Sequence, residues 1–124
     1  MSMMNNYRKG WALRYLREAK AELTAAKKTP YMAPSLVFEA LRKAQAAIYY
    51  SLGEPTSIAT IVHETLYTKQ FGEDPILKFL VEVERTIQQI AQKPRSDSEA
   101  VMEQVNYFVQ LASEIVELFT GESA

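Results

Sequence analysis

The sequence predicts an all-α protein, an antiparallel up-down four-helix bundle with a short extra helix, and three observations carry that expectation. Apolar residues recur at three-and-four spacing along most of the chain, the signature of helices with one buried face. Most of the five prolines and four glycines fall between those periodic stretches, where they punctuate turns. The segment 36–53, LVFEALRKAQAAIYYSLG, is an alanine-rich amphipathic helix stopped by its own glycine, with proline two residues later.

The first helix is expected over 7–28, because Ala12, Leu16, Ala19, Leu23 and Ala26 share one face. Thr29 and Pro30 end it, since the residue before a proline avoids helical dihedrals. A second helix opens near Pro34, which loses no hydrogen bond in a first turn, and its core stripe is Val37, Leu41, Ala44 and Ile48. Gly53 is expected as a left-handed cap, with Pro55 blocking continuation. Thr56 or Ser57 caps a shorter third helix to about residue 68, whose apolar side is Ile58, Ile61, Val62 and Leu66. Phe71 and Gly72 close it.

Asp74 and Pro75 then form a cap followed by proline at the first helical position, opening a fourth helix with Ile76, Leu80, Val83, Ile87 and Ile90 inward. Pro94 stops that helix. Ser96, Asp97, Ser98 and Glu99 match a capping box for the last helix, which runs to about residue 120 and ends at Gly121. Its stripe is Val101, Val105, Phe108, Ala112, Ile115 and Phe119, with Met102, Val109 and Val116 beside it. Only Glu103, Asn106, Gln110, Ser113 and Glu117 make a continuous polar strip, so this helix needs cover on more than one side. Leu77, Phe79 and Val81 are similarly surplus on the fourth helix. Large exposed apolar patches are uncommon on monomers, so a homodimer is expected, with Leu77, Val81, Met102, Val109 and Val116 at its interface.

A chain of 124 residues fits one domain, 1–124, with loose ends at about 1–6 and 121–124. The apolar share of 48% and charged share of 23% are those of an ordinary globular protein. No apolar run approaches the roughly 18 residues of a membrane span, and the start leads into Arg8, Lys9, Arg14 and Arg17 instead of an apolar signal core. A cytoplasmic protein is expected. The absence of cysteine excludes disulfides, thiol catalysis and cysteine-ligated zinc. The net charge of −1 hides an asymmetry, since residues 1–50 hold nine basic and three acidic residues while the rest hold five and twelve.

No reactive constellation emerges. His63 is the single histidine, too few for a usual zinc site or for the paired Glu-x-x-His motifs of a di-iron bundle. Glu114 and Glu117 have the spacing of a magnesium-binding pair without a second pair to complete it, and Glu18 and Glu22 read as a solvated face. The glycines are too scattered for a phosphate loop. No catalytic residue, metal or cofactor is expected. The remaining signal is basic: Arg14, Arg17 and Lys28 lie opposite the first core stripe, and Arg42, Lys43 and Tyr50 opposite the second. On a two-helix hairpin these groups suit RNA or DNA, through phosphate contacts and base stacking. Glu39 with Lys43, and Arg14 with Glu18, are the local ion pairs that compete for those charges.

The pattern of WALRYLREAKAEL at 11–23, Tyr31 in the turn, AQAAIYYSLG at 44–53 and ASEIVELFTG at 112–121 resembles the HEPN domains, a family of small all-helical prokaryotic proteins. Many members are ribonucleases with an arginine a short interval ahead of a histidine. Here the positions ahead of His63 are Thr56, Ser57 and Ile58, so that motif is missing. The resemblance therefore implies a non-catalytic relative that binds nucleic acid, nucleotides or a nucleotidyltransferase-like protein partner. The alternatives are a divergent ribonuclease or magnesium-dependent nucleotide hydrolase, and a dimeric scaffold without a ligand.

Overall fold

Asn5 opens the first helix of the computed structural model, which describes residues 5–70, 72–92 and 98–124. Its side-chain oxygen accepts the backbone N–H of Tyr7 at 2.7 Å, satisfying one orphan donor of the first turn. That helix, α1, spans Asn6–Lys28, and a 3₁₀ turn at Pro30–Met32 leads into α2, Ala33–Leu52. Three more helices follow: α3, Pro55–Thr68; α4, Pro75–Gln92; and α5, Ser98–Thr120. All regular structure among the described residues is helical. None of these helices is long and apolar enough to cross a membrane.

The expected α1 stripe is the observed one: Ala12, Leu16, Ala19, Leu23 and Ala26 are its buried residues. On α2 the buried arc is wider, taking in Ala33, Val37, Ala40, Leu41, Ala44, Ala47, Ile48, Tyr49 and Ser51. That breadth makes α2 the centre of the molecule, since it packs against α1, α3, α4 and α5. Helices α1 and α2 run antiparallel, as the Arg8 guanidinium near the start of one donates to the Tyr50 carbonyl near the end of the other at 3.1 Å. Helix α5 lies against both members of this hairpin, while α4 and α3 pack on α2 and on each other. Phe79 of α4 meets Phe108 of α5 edge to face, with ring centroids 5.5 Å apart.

Local chemistry departs from expectation at several ends. Gly53 sits at φ 171°, extended backbone and not a left-handed cap, although its N–H still donates to the Tyr49 carbonyl. The reason is Pro55, which does more than block α2: it starts α3 at the first helical position, so the chain passes directly from one helix to the next. Glu54, not Thr56 or Ser57, occupies the cap position and makes no side-chain cap bond. Lys69 ends α3 in the left-handed region at φ 58°. Asp74 caps α4 as expected, accepting from the N–H groups of Ile76 and Leu77 at 2.9 and 3.2 Å. The Pro94 stop and the Ser96 to Asp97 part of the capping box lie outside the described residues, as does Phe71.

Two expectations about apolar faces need correction. On α4 the buried set is Leu80, Val81, Val83 and Thr86, so the face is rotated and Ile76, Ile87 and Ile90 are only half-buried. On α5, Val109 and Val116 are core residues, whereas Phe119 is 41% exposed. Val81, Val109 and Val116 were expected at a dimer interface, yet each is at most 3% exposed within the single chain and needs no second copy to cover it. Leu77 and Met102 are half-buried against the same core. The last residues, 121–124, lie along α1: Glu122 pairs with Lys9, and the Lys20 ammonium donates to the Ala124 carbonyl at 2.8 Å.

Leu41 is fully buried at the centre of α2. Replacing it with alanine is expected to cost about 2–5 kcal/mol in urea unfolding, against about 1 kcal/mol for Asp74→Ala, which removes only a cap.

Candidate functional site

The basic hairpin face divides into groups that the fold consumes and groups that it leaves outward. Lys43 is consumed. Its ammonium, expected to pair with Glu39 on its own helix, instead reaches α1 and bonds Glu22 at 2.6 Å and Glu18 at 3.1 Å. Arg14 donates to the other Glu18 oxygen at 2.9 Å, completing a line of four charges across the seam. The hydrogen bond from Arg14, then that from Lys43, holds the Glu18 carboxyl below its usual range. The bond to Glu22 is the main cause that raises the Lys43 ammonium above its ordinary value, against an opposing effect of burial. One Glu22 oxygen is buried and without a hydrogen-bond partner among the described residues.

Tyr50 is likewise engaged. Trp11 and Tyr15, one turn apart on α1, stack on its ring with centroids at 6.3 and 5.8 Å and planes within 25°. Tyr7 adds an edge contact to Trp11 at 6.4 Å, and the Arg14 guanidinium lies 5.0 Å from the Trp11 ring centre. Burial is the main cause that raises the Tyr50 hydroxyl above its usual pKa, helped by the nearby Tyr7, Tyr15 and Glu54. This ring stack locks the open end of the α1–α2 hairpin. Its sequence signal is the spacing of Tyr7, Trp11 and Tyr15, four residues apart on one helix face. Arg8, which the charge pattern did not single out, holds the same end through the Tyr50 carbonyl.

Arg17, Lys28 and Arg42 remain outward. All three are exposed, and none makes an ion pair among the described residues. Arg42 lies 5.9 Å from the Phe38 ring centre, one turn back on its own helix. Lys27 is exposed beside Lys28 and equally unpaired. Helix geometry puts Arg17 and Lys28 on one stripe of α1, three turns and about 16 Å apart.

His63 is exposed on α3, with its Nε2 3.4 Å from a Glu84 oxygen of α4. Glu84 also accepts from Gln45 at 2.6 Å and from Gln88 at 3.1 Å, so the histidine joins a polar contact between helices. Glu114 and Glu117 are exposed on α5. Among the described residues, no group of three or more His, Cys, Asp or Glu side chains is placed to hold a metal ion. No protein-family model matches the chain, and neither does any curated protein or solved structure.

The seam makes a pH prediction. Glu18 has a depressed carboxyl in the fold, so its contribution is present above the ordinary carboxylate range and is lost as pH falls through the depressed value. Lys43 has the opposite sign, contributing below the ordinary ammonium range and losing that contribution as pH rises through its raised value. Lys43→Met leaves the half-buried Glu22, one of whose oxygens is buried, without its cation and is expected to cost roughly 1–3 kcal/mol at neutral pH. Urea unfolding across the acid range is expected to show a shallower loss for this variant than for the parent, with the remainder carried by Arg14.

Proposed function

We propose that this protein is a non-catalytic binding module, similar to the HEPN domains, that contacts single-stranded nucleic acid through the outer face of the α1–α2 hairpin. The observation that carries this reading is the contrast within the basic set. Arg14 and Lys43 are neutralised inside the seam, while Arg17, Lys28 and Arg42 are exposed and, among the described residues, have no ion-pair partner. Cations in that state are surrounded by water and small ions, and phosphates bind them by releasing those counterions.

Exposed rings flank the charges. Tyr7 at the start of α1 is 61% exposed and Tyr31 in the turn is 85% exposed, so each end of the hairpin offers a π-face for an unpaired base. The role given to Tyr50 by the sequence pattern passes to these two. The non-catalytic part of the reading is supported by the missing arginine ahead of His63 and by the engagement of that histidine with Glu84.

The test is a salt titration against labelled single-stranded RNA. Three phosphate contacts predict a slope of log affinity against log salt of about −2. The double variant Arg17→Glu and Arg42→Glu is expected to weaken binding at least about tenfold at low salt while leaving the fold intact. Absence of low-salt binding by the parent, or equal binding by the variant, refutes the reading.

A further inference from the structure

Helices α2, α3, α4 and α5 meet around a recess of about 240 Å³ whose walls include Leu52 of α2, Ile58 and Ile61 of α3, Ile76 and Leu77 of α4, and the Phe119 ring of α5. Eight of its nine lining residues are apolar, and the ninth is Asp74. Two of the apolar ones are large and poorly covered, Ile61 at 49% and Phe119 at 41% exposure. The recess shares no lining residue with the depressions between α1 and α5, so it is a compact hollow and not one length of a longer groove.

Asp74 gives the recess its polarity. Its Oδ1 accepts the N–H groups of Ile76 and Leu77 at 2.9 and 3.2 Å, which fixes the carboxylate in place. Its Oδ2 has no hydrogen-bond or ion-pair partner among the described residues. A carboxylate accepts and does not donate, so the free oxygen calls for a donor, and a cationic donor makes the stronger bond. Apolar walls with one positioned polar group are the usual make-up of a small-molecule site, where the walls supply affinity and the polar group sets orientation.

We propose that this recess binds a small apolar amine, with its hydrocarbon body among the α3 and α4 side chains and its ammonium on Asp74 Oδ2. Filling the recess takes the apolar body and the Ile61 and Phe119 side chains out of water, which drives the association. An apolar cavity of about 150 Å³ accepts benzene, and in proportion 240 Å³ holds roughly ten non-hydrogen atoms. That size, and the isolation of the hollow from neighbouring depressions, suit a free small molecule and not a protein segment. None of Arg17, Lys28 and Arg42 lines the recess, so the inference stands independently of nucleic-acid binding by the hairpin.

The experiment is a methyl-resolved NMR titration with three probes of matching size: phenylpropylamine, phenylpropanol and phenylpropanoate. Saturable shifts are expected at the methyl groups of Ile58, Ile61, Ile76 and Leu77, with dissociation constants in the millimolar range or tighter for about ten atoms. The amine is expected to bind about fivefold more tightly than the alcohol, the upper effect of one exposed ion pair. The acid is expected to bind least, and it also tests the competing claim of Lys78, exposed one turn along α4. Asp74→Asn keeps a side-chain acceptor for the cap and removes the charge, so it is expected to abolish the preference for amine while leaving the alcohol unaffected. Ile61→Trp places a larger ring at the exposed edge of the recess and is expected to weaken amine and alcohol alike by at least about tenfold, with circular dichroism unchanged. Absence of saturable shifts at these methyls, binding of the acid as tight as that of the amine, or an amine preference that survives Asp74→Asn each overturns the proposal.

Discussion

Close approach of α1 and α2 along small side chains is the constraint on which the rest of the structure depends. Ala12, Ala19 and Ala26 of α1 and Ala40, Ala44 and Ala47 of α2 are all at most 2% exposed. With only a methyl group at each of these points, two helix backbones come together, and the larger Leu16, Leu23, Leu41 and Ile48 fill the space alongside. A helix with small residues over so wide an arc has room for several neighbours. That is why α2 touches every other helix and why α5 lies against both members of the hairpin.

Helix α1 was the most legible part in the sequence because it has one unambiguous face. On α1 the periodic stripe and the buried set coincide residue for residue. Helices α4 and α5 carry more apolar residues than one face holds, and periodicity then offers several equivalent stripes. The choice between Val116 and Phe119, or between Thr86 and Ile87, is made by where neighbouring helices lie, which is a tertiary fact. Thr86 is admitted to the core because its hydroxyl donates to the Glu82 carbonyl within its own helix, so it carries no unsatisfied donor inward.

Charge was harder to read than hydrophobicity for a related reason. The rule for residues four apart on one helix found Arg14 with Glu18 and offered Glu39 to Lys43. It contains no information about an adjacent helix, where Glu22 and Glu18 hold Lys43 more closely. Nine basic residues in the first fifty look like one surface in sequence, but Arg8, Lys9, Arg14, Lys20 and Lys43 are each committed to a contact within the chain. Among the described residues, four are without an ion pair or side-chain hydrogen bond: Arg17, Lys27, Lys28 and Arg42.

Successive residues on a helix differ by about 100° in direction, so α1 displays its cations on separate stripes. Arg14 bonds Glu18, which also meets Lys43 of α2; Arg17 and Lys28 face solvent; and Lys20 with Lys27 borders α5. Each stripe is answered differently: by carboxylates at the seam, by water on the outside, and by the Ala124 carbonyl and polar side chains of α5 on the third. A helix whose apolar face were wider would have no room for all three, whereas the narrow alanine and leucine stripe of α1 leaves most of its circumference polar. The same economy of the core that lets α1 and α2 pack closely thus leaves α1 two accessible polar stripes beside the seam.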